Sequence, residues 1–161
     1  MTELLHTQQP HIDLPQDHEY YRLFASFAKI YGEDAFNHYE KSHVMVIGIG
    51  GVGSWAVEAL ARTGVGELTL VDMDSIAASN INRQLPAMTA TLGLEKIEVM
   101  AERCRSINPR IKINLIDDYL SAENIKELLA EAPDLILDCI DDVKAKLALM
   151  LHCRFNKIPL I

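Results

Sequence analysis

The apolar positions follow one period near the amino end and another beyond it. Residues 1–16, which include Pro10 and Pro15, show no period and read as a mobile lead-in. From Tyr20 the apolar positions Tyr20, Phe24, Phe27 and Tyr31 recur at helical spacing. Gly32 closes that helix, and a shorter one runs on through Tyr39. Short apolar runs then take over: HVMVIGI (43–49), ELTLVDM (67–73), IKINLI (111–116), LILDCI (135–140) and IPLI (158–161) read as strands. Between them lie helical patterns, first on Trp55, Ala56, Ala59 and Leu60. The second falls on Leu94, Ile97, Met100, Ala101, Cys104 and Ile107, the third on Ile125, Leu128 and Leu129, and the last on Ala145, Leu147, Ala148 and Leu151. Strands that are apolar throughout and alternate with helices predict an α/β fold. The expected form is Rossmann-like and doubly wound, a mostly parallel sheet with helices on both faces, preceded by amino-terminal helices. The division expected is a flexible lead-in over 1–19 and one domain over 20–161. The last strand is followed by none of the loops that normally complete such a sheet, so the reading expects a longer protein that supplies the carboxyl-terminal part.

Composition narrows the function. A chain of 161 residues with 49% hydrophobic content and ordinary charge is the size of one domain with a substantial core. No apolar run reaches the roughly 18 residues of a membrane span, and the polar amino terminus lacks the pattern of a secretory signal. A cytoplasmic protein is expected, with membrane attachment only through a region outside this sequence. The three cysteines, Cys104, Cys139 and Cys153, form no C-x-x-C pair, which argues against a disulfide framework and a structural zinc site. Cys104 and Cys139 read as core, and Cys153 as a weak candidate for chemistry. A net charge of −8 gives no general attraction to nucleic acid. An RNA substrate would need a local patch such as Arg103, Arg105, Arg110 and Lys112, or Arg154 with Lys157, and either cluster is also an ordinary solvated face.

The chemistry starts at Gly48-Ile49-Gly50-Gly51-Val52-Gly53, a G-x-G-x-x-G loop between a strand and a helix. Glycine there permits a tight turn and brings backbone N–H groups and the helix amino end close to a phosphate. Asp72, nineteen residues past Gly53 and closely followed by Asp74, stands where an acid accepts from ribose hydroxyls. These features fit NAD as well as ATP. SNINRQ (79–84) then offers Arg83 to a polyphosphate with Asn80 and Gln84 to orient it, although such a loop is also a common solvated turn. Lys96 is either a second phosphate ligand or a surface lysine. Asp138 and Asp141 stand at the carboxyl edge of the fourth strand, where either can hold Mg2+ or cap the next helix. Hydride transfer gains nothing from an Arg, a Lys and a metal carboxylate around the phosphates. Adenylation of a carboxylate does, because negative charge accumulates and pyrophosphate must leave.

The series VMVIGIGGVGSW, LTLVDMD, SNINRQ, GLEK, INP, LDCIDD and KIPLI resembles the ThiF/MoeB/ubiquitin-activating-enzyme superfamily from about Arg22 onward. GSWAVEALARTGVGELTLVDMD, EKIEVMAERCRSINP and YGEDAF are most similar to its tRNA threonylcarbamoyladenosine dehydratase branch. The resemblance implies that 20–161 is an ATP-binding adenylation domain. Gly48, Gly50, Gly51 and Gly53 would cradle ATP, Asp72 hold its ribose, Asn80, Arg83 and Lys96 contact phosphates, and Asp141 engage Mg2+. Arg22 matches an arginine that reaches the partner's ATP across a symmetric homodimer, and otherwise reads as a surface residue on an amphipathic helix. The implied substrate is tRNA carrying threonylcarbamoyladenosine, adenylated on its carboxylate and cyclised with loss of water. A sulfur-transfer or cysteine desulfurase partner is a further expectation. The alternative within the superfamily is an activator of a ubiquitin-like sulfur-carrier protein. It would be marked by paired C-x-x-C motifs downstream of Ile161.

Overall fold

The computed structural model describes residues 17–161, and the expected lead-in over 1–16 lies outside the described residues. Three seven-residue helices come first: α1 (Asp17–Leu23), α2 (Ala25–Tyr31) and α3 (Glu33–Tyr39). The boundary expected at residue 20 thus falls inside α1. The single helix expected from Tyr20 breaks at Phe24, at φ −114° and ψ 13°. Gly32 ends α2 as expected, at φ 94°. Phe24 and Phe36 are buried and flank Gly64, where a β-carbon would stand 2.9 Å from Phe36 Cε2 and 3.1 Å from Phe24 Cγ. Gly64 has φ 84°, so conformation and packing both require glycine there. The buried Tyr20 donates its hydroxyl to Asn108 Oδ1 at 3.1 Å, and the Arg110 guanidinium lies 4.2 Å from its ring centroid. These contacts tie the helices to the segments that enter the second and third strands, at the amino ends of the sheet.

The sheet is built of β1 (His43–Ile47), β2 (Glu67–Val71), β3 (Lys112–Ile116) and β4 (Leu135–Asp138), all parallel, in the order β3-β2-β1-β4. Three strands stop short of their expected carboxyl ends. Gly48, Asp72 and Cys139 each donate a last backbone hydrogen bond to the neighbouring strand, and the chain then turns away into loops. The expected strand IPLI is reduced to one parallel bridge, Ile136 with Leu160, outside β4. Proline 159 has no N–H to donate to a longer ladder, although its carbonyl accepts from Ile136 at 3.0 Å.

Strand side chains alternate between two cores. Val44, Val46, Leu68 and Leu70 meet α4 (Gly53–Thr63) and α5 (Lys96–Ile107) on one face. Met45, Ile47, Val71 and Ile136 meet α6 (Ile125–Leu128) and α7 (Val143–Asn156) on the other. The doubly wound expectation therefore holds, as do the expected inner faces of α5, apart from the exposed Leu94, and of α6. Two helix faces need correction. α4 buries Gly53, Ser54, Val57, Glu58 and Ala61 and leaves Trp55 56% exposed, because Gly53 must press against the Gly48 carbonyl and thereby sets the helix's rotation. α7 buries Ala145, Leu149 and Cys153 while Leu147 and Leu151 are exposed; apolar residues occur all round this helix, so spacing alone does not select a side.

Glu58 is the buried acid of α4. It accepts from Arg103 Nε and Nη2 at 2.5 and 2.8 Å and from Arg62 Nε at 2.7 Å, linking α4 to α5. The Arg103 hydrogen bond, helped by Arg62 against the opposing effect of burial, holds the carboxyl below its usual 4.5. A carboxyl lowered in the folded state contributes its full stabilisation above that unfolded value and loses it as pH falls through the folded one. Glu58→Gln should therefore cost roughly 1–2 kcal/mol at pH 7, after discounting for the half-exposed arginines. Thermal melts of the two proteins should converge as the pH is lowered below 4.5.

Candidate functional site

With β1 at the centre, the connections from β1 and β4 leave to opposite sides, which opens a crevice at the carboxyl ends of those strands. The crevice holds a cavity of about 520 Å3. Gly48, Asp72, Asp74, Asp141 and Asp142 line it, with Asp118, Tyr119 and Glu123 from the β3–α6 loop and Lys144 from α7.

The glycines of the loop divide into two kinds. Gly48 has φ 91°, and a β-carbon on it would stand 2.7 Å from the Cys139 carbonyl oxygen; one on Gly53 would overlap the Gly48 carbonyl. These two are glycine because the protein's own backbone leaves no room. Gly50 and Gly51 lie outside the left-handed region, and the nearest atoms to a β-carbon there are Gln84 Nε2 at 3.8 Å and Arg83 Cγ at 3.5 Å. Internal packing does not demand glycine at either position. A bare backbone facing Gln84 and Arg83 fits a phosphate, which such a surface can approach closely.

Asp72 stabilises this loop as well as facing the cavity. Its Oδ2 accepts from Ile49 N at 2.6 Å and its Oδ1 from Asp74 N at 2.9 Å. An ionised carboxylate has about four acceptor positions, so two remain for ribose hydroxyls. Lys96, the first residue of α5, is 4% exposed and not a surface lysine. Its Nζ lies 2.6 Å from Asp74 Oδ2 and 3.7 Å from Asp72 Oδ1. This buried ammonium, outside the cavity lining, offsets part of the charge of the two carboxylates, while Lys144 is the cation that lines the cavity.

The SNINRQ segment folds as a 3-10 turn, Ala78–Asn80, with residues that follow it pressed against α4. Asn80 uses Oδ1 to accept from Ala77 N at 2.9 Å, so in this structure it shapes its own turn. Arg83 is exposed, and its Nη1 donates to Ser79 O and Asn82 Oδ1, both at 2.9 Å. Gln84 is 8% exposed, and its Oε1 has no hydrogen-bond partner. Burying an unpaired amide oxygen costs roughly 1–3 kcal/mol. Arg83 and Gln84 are thus brought beside Gly51 and Gly50 of the glycine loop.

On the β4 side, Asp138 is paired with Lys146 at 2.8 Å and accepts from Ile140 N at 3.1 Å. Asp142 caps α7 by accepting from Ala145 N at 2.7 Å. Asp141, between these two occupied acids, is exposed, lines the cavity and makes no ion pair among the described residues. The described residues contain no group of three or more His, Cys, Asp or Glu side chains placed to hold a metal ion. Mg2+ often takes one or two protein carboxylates together with phosphate oxygens and water, and Asp141 fits that pattern.

Arg22 is exposed in the last turn of α1, at the amino ends of the strands, and does not line the cavity. The basic cluster read for RNA is largely spent internally. Arg103 pairs with Glu58, Arg110 with Asp17 and Lys112 with Glu67. Burial pushes the Cys104 thiol up to about 12 and raises Cys139 and Cys153, with Asp138 adding to both of the latter. Cys153 is therefore core and not a reactive thiol, while Cys139 is only half-buried, against the loop at Gly53. The cavity wall on the β3–α6 loop escapes sequence reasoning, because Asp118, Tyr119 and Glu123 form no motif. The one pointer to them is their position after a strand on the carboxyl edge.

The ThiF family profile matches residues 20–161. The chain is 51% identical over 142 residues to a tRNA threonylcarbamoyladenosine dehydratase of Haemophilus influenzae, covering 88% of this chain and 54% of the relative. A molybdopterin-synthase adenylyltransferase of Escherichia coli is 39% identical over 120 residues, covering 74% and 48%. The crystal structure of the Escherichia coli tRNA N6-threonylcarbamoyladenosine dehydratase superposes with a TM-score of 0.89 at 44% identity, covering 92% of this chain and 62% of that one. Structures of that protein in complex with ATP and with AMP superpose with TM-scores of 0.88. The chain spans about half the length of the curated relatives it matches.

Proposed function

The chain belongs to the ThiF family, and from that premise we propose that it is the nucleotide-binding part of an ATP-dependent tRNA threonylcarbamoyladenosine dehydratase. The observation that carries this reading is the glycine loop itself. Gly50 and Gly51 leave open backbone against Arg83 and the Gln84 amide nitrogen, beside a crevice lined by Asp72, Asp74 and Asp141, with Lys96 paired to Asp74 behind it. The similarity to dehydratases that bind ATP and AMP supports the same assignment.

In this reading the loop N–H groups, Arg83 and Lys96 bind the phosphates, Gln84 uses its free amide oxygen to accept from the Arg83 guanidinium and orient it, and Asp72 accepts from the ribose. Mg2+, held by Asp141, offsets phosphate charge when bound. A carboxylate oxygen of threonylcarbamoyladenosine attacks the α-phosphorus and pyrophosphate leaves. An intramolecular nucleophile of the same modified base then attacks the activated carbonyl, AMP leaves, and the nucleoside is lighter by one water. Arg83 and Lys96 act where negative charge builds up. The acid-lined cavity suits the uncharged adenosine end and a metal better than bare polyphosphate.

A symmetric homodimer that shares Arg22 between subunits, a cytoplasmic location and a sulfur-transfer partner belong to this proposal. Among the described residues no helix is long and apolar enough to cross a membrane. The test is to incubate the intact protein with Mg-ATP and tRNA carrying threonylcarbamoyladenosine. AMP should accumulate together with a nucleoside lighter by one water, as followed by mass spectrometry. Unchanged tRNA, with AMP or pyrophosphate released only on adding a ubiquitin-like protein, would replace the reading with sulfur-carrier activation.

A further inference from the structure

Trp55 is the chain's one tryptophan, lies in the first turn of α4, and is 56% exposed although the pattern places it in the core. Its Nε1–H donates to the backbone carbonyl of Arg83 at 3.1 Å. Its neighbour Ser54 is fully buried, donates Oγ–H to Gly50 O at 2.6 Å and accepts from Leu85 N at 3.2 Å. Two adjacent residues of α4 thus hold both ends of the three-residue segment Arg83–Leu85 against the glycine loop. The guanidinium of Arg83 is turned back onto Ser79 O and Asn82 Oδ1 while its stem lies beside Gly51, so no side-chain hydrogen bond of Arg83 attaches the segment to the loop. The backbone attachment falls to Ser54 and Trp55.

We propose that Trp55 is a positioning residue for nucleotide binding, its indole N–H holding the Arg83 backbone over the glycine loop so that the guanidinium swings from its own turn onto a phosphate without moving its base. The inference rests on the reading that Arg83 binds phosphate. An exposed aromatic ring contributes little to the core, so its removal should spare the fold, whereas the Arg83 carbonyl loses a fixed donor. Ser54, being wholly buried, cannot be tested as cleanly.

The experiment measures Mg-ATP affinity by calorimetry for the intact protein and for Trp55→Phe, Arg83→Ala and the double variant, with thermal midpoints for all four. Trp55→Phe keeps the ring and deletes the donor. It should weaken ATP binding about fivefold, the loss of one neutral hydrogen bond, with a midpoint within about 4 °C of wild type. In the Arg83→Ala background the same substitution should add nothing, because the residue it positions is gone. Arg83→Ala weakening ATP while Trp55→Phe binds like wild type overturns the proposal, as does a Trp55→Phe loss that persists undiminished in the double variant. If Arg83→Ala itself binds ATP normally, the phosphate reading fails first and takes the proposal with it.

Discussion

Alanine at Gly50 should leave the protein folded and remove most of its ATP affinity, whereas alanine at Gly53 should damage both. At Gly50 a β-carbon meets nothing nearer than Gln84 Nε2 at 3.8 Å, an ordinary contact, and the backbone is outside the left-handed region. The expected change in thermal midpoint is within a degree or two, or slightly upward, since alanine restricts the unfolded chain more than glycine does. The same methyl group occupies the surface a phosphate would approach, and about a hundredfold loss of affinity, roughly 2.7 kcal/mol, is expected. At Gly53 the β-carbon overlaps the Gly48 carbonyl, so α4 must shift away from the sheet. Overpacking of that kind costs about 3 kcal/mol, a fall of roughly 10 °C for a domain this size. Calorimetry with Mg-ATP beside thermal melts separates the two variants. If Gly50→Ala bound ATP like wild type, the open glycines would not be a phosphate cradle.

That contrast shows what the sequence can and cannot say. The G-x-G-x-x-G spacing announces the loop, but it treats all four glycines alike. Only the neighbours of each absent β-carbon distinguish those needed by the fold from those left for a ligand. The sheet was legible because its strands are short, apolar and separated by helices. The rotation of α4 was not, since a one-dimensional pattern favours Trp55 as core when the close approach of Gly53 to Gly48 turns that ring outward. Lys96 was ambiguous for a similar reason: nothing local to it tells that Asp74 and Asp72, more than twenty residues earlier, will enclose its ammonium. By position alone Asp138 and Asp141 could each hold a metal or cap a helix; in the structure Asp138 pairs with Lys146, the α7 cap goes to Asp142, and Asp141 is left open to the crevice.

Arg83→Ala and Asp141→Ala should each lower AMP formation by about a hundred- to a thousandfold, the scale of losing one charge-stabilising group in a transition state. Both side chains are exposed, so their melts should stay within about 0.5 kcal/mol of wild type. Full activity in either variant would remove that residue from the phosphate or metal assignment. Arg22→Ala is the more searching case. α1 is fastened through Tyr20 and Asp17 to Asn108 and Arg110, ahead of β3, at the end of the sheet opposite the glycine loop. Arg22 is therefore badly placed for the crevice of its own subunit, and if it acts on ATP it must act on a second copy. Arg22→Ala and Asp141→Ala subunits should then each be inactive alone. In a mixed dimer one site combines an intact Asp141 with the partner's intact Arg22, and the other lacks both. Equal mixing with free exchange should return about a quarter of wild-type activity, because half the dimers are mixed and each has one of its two sites. An inactive mixture in which mixed dimers are demonstrably present would place Arg22 outside any shared site.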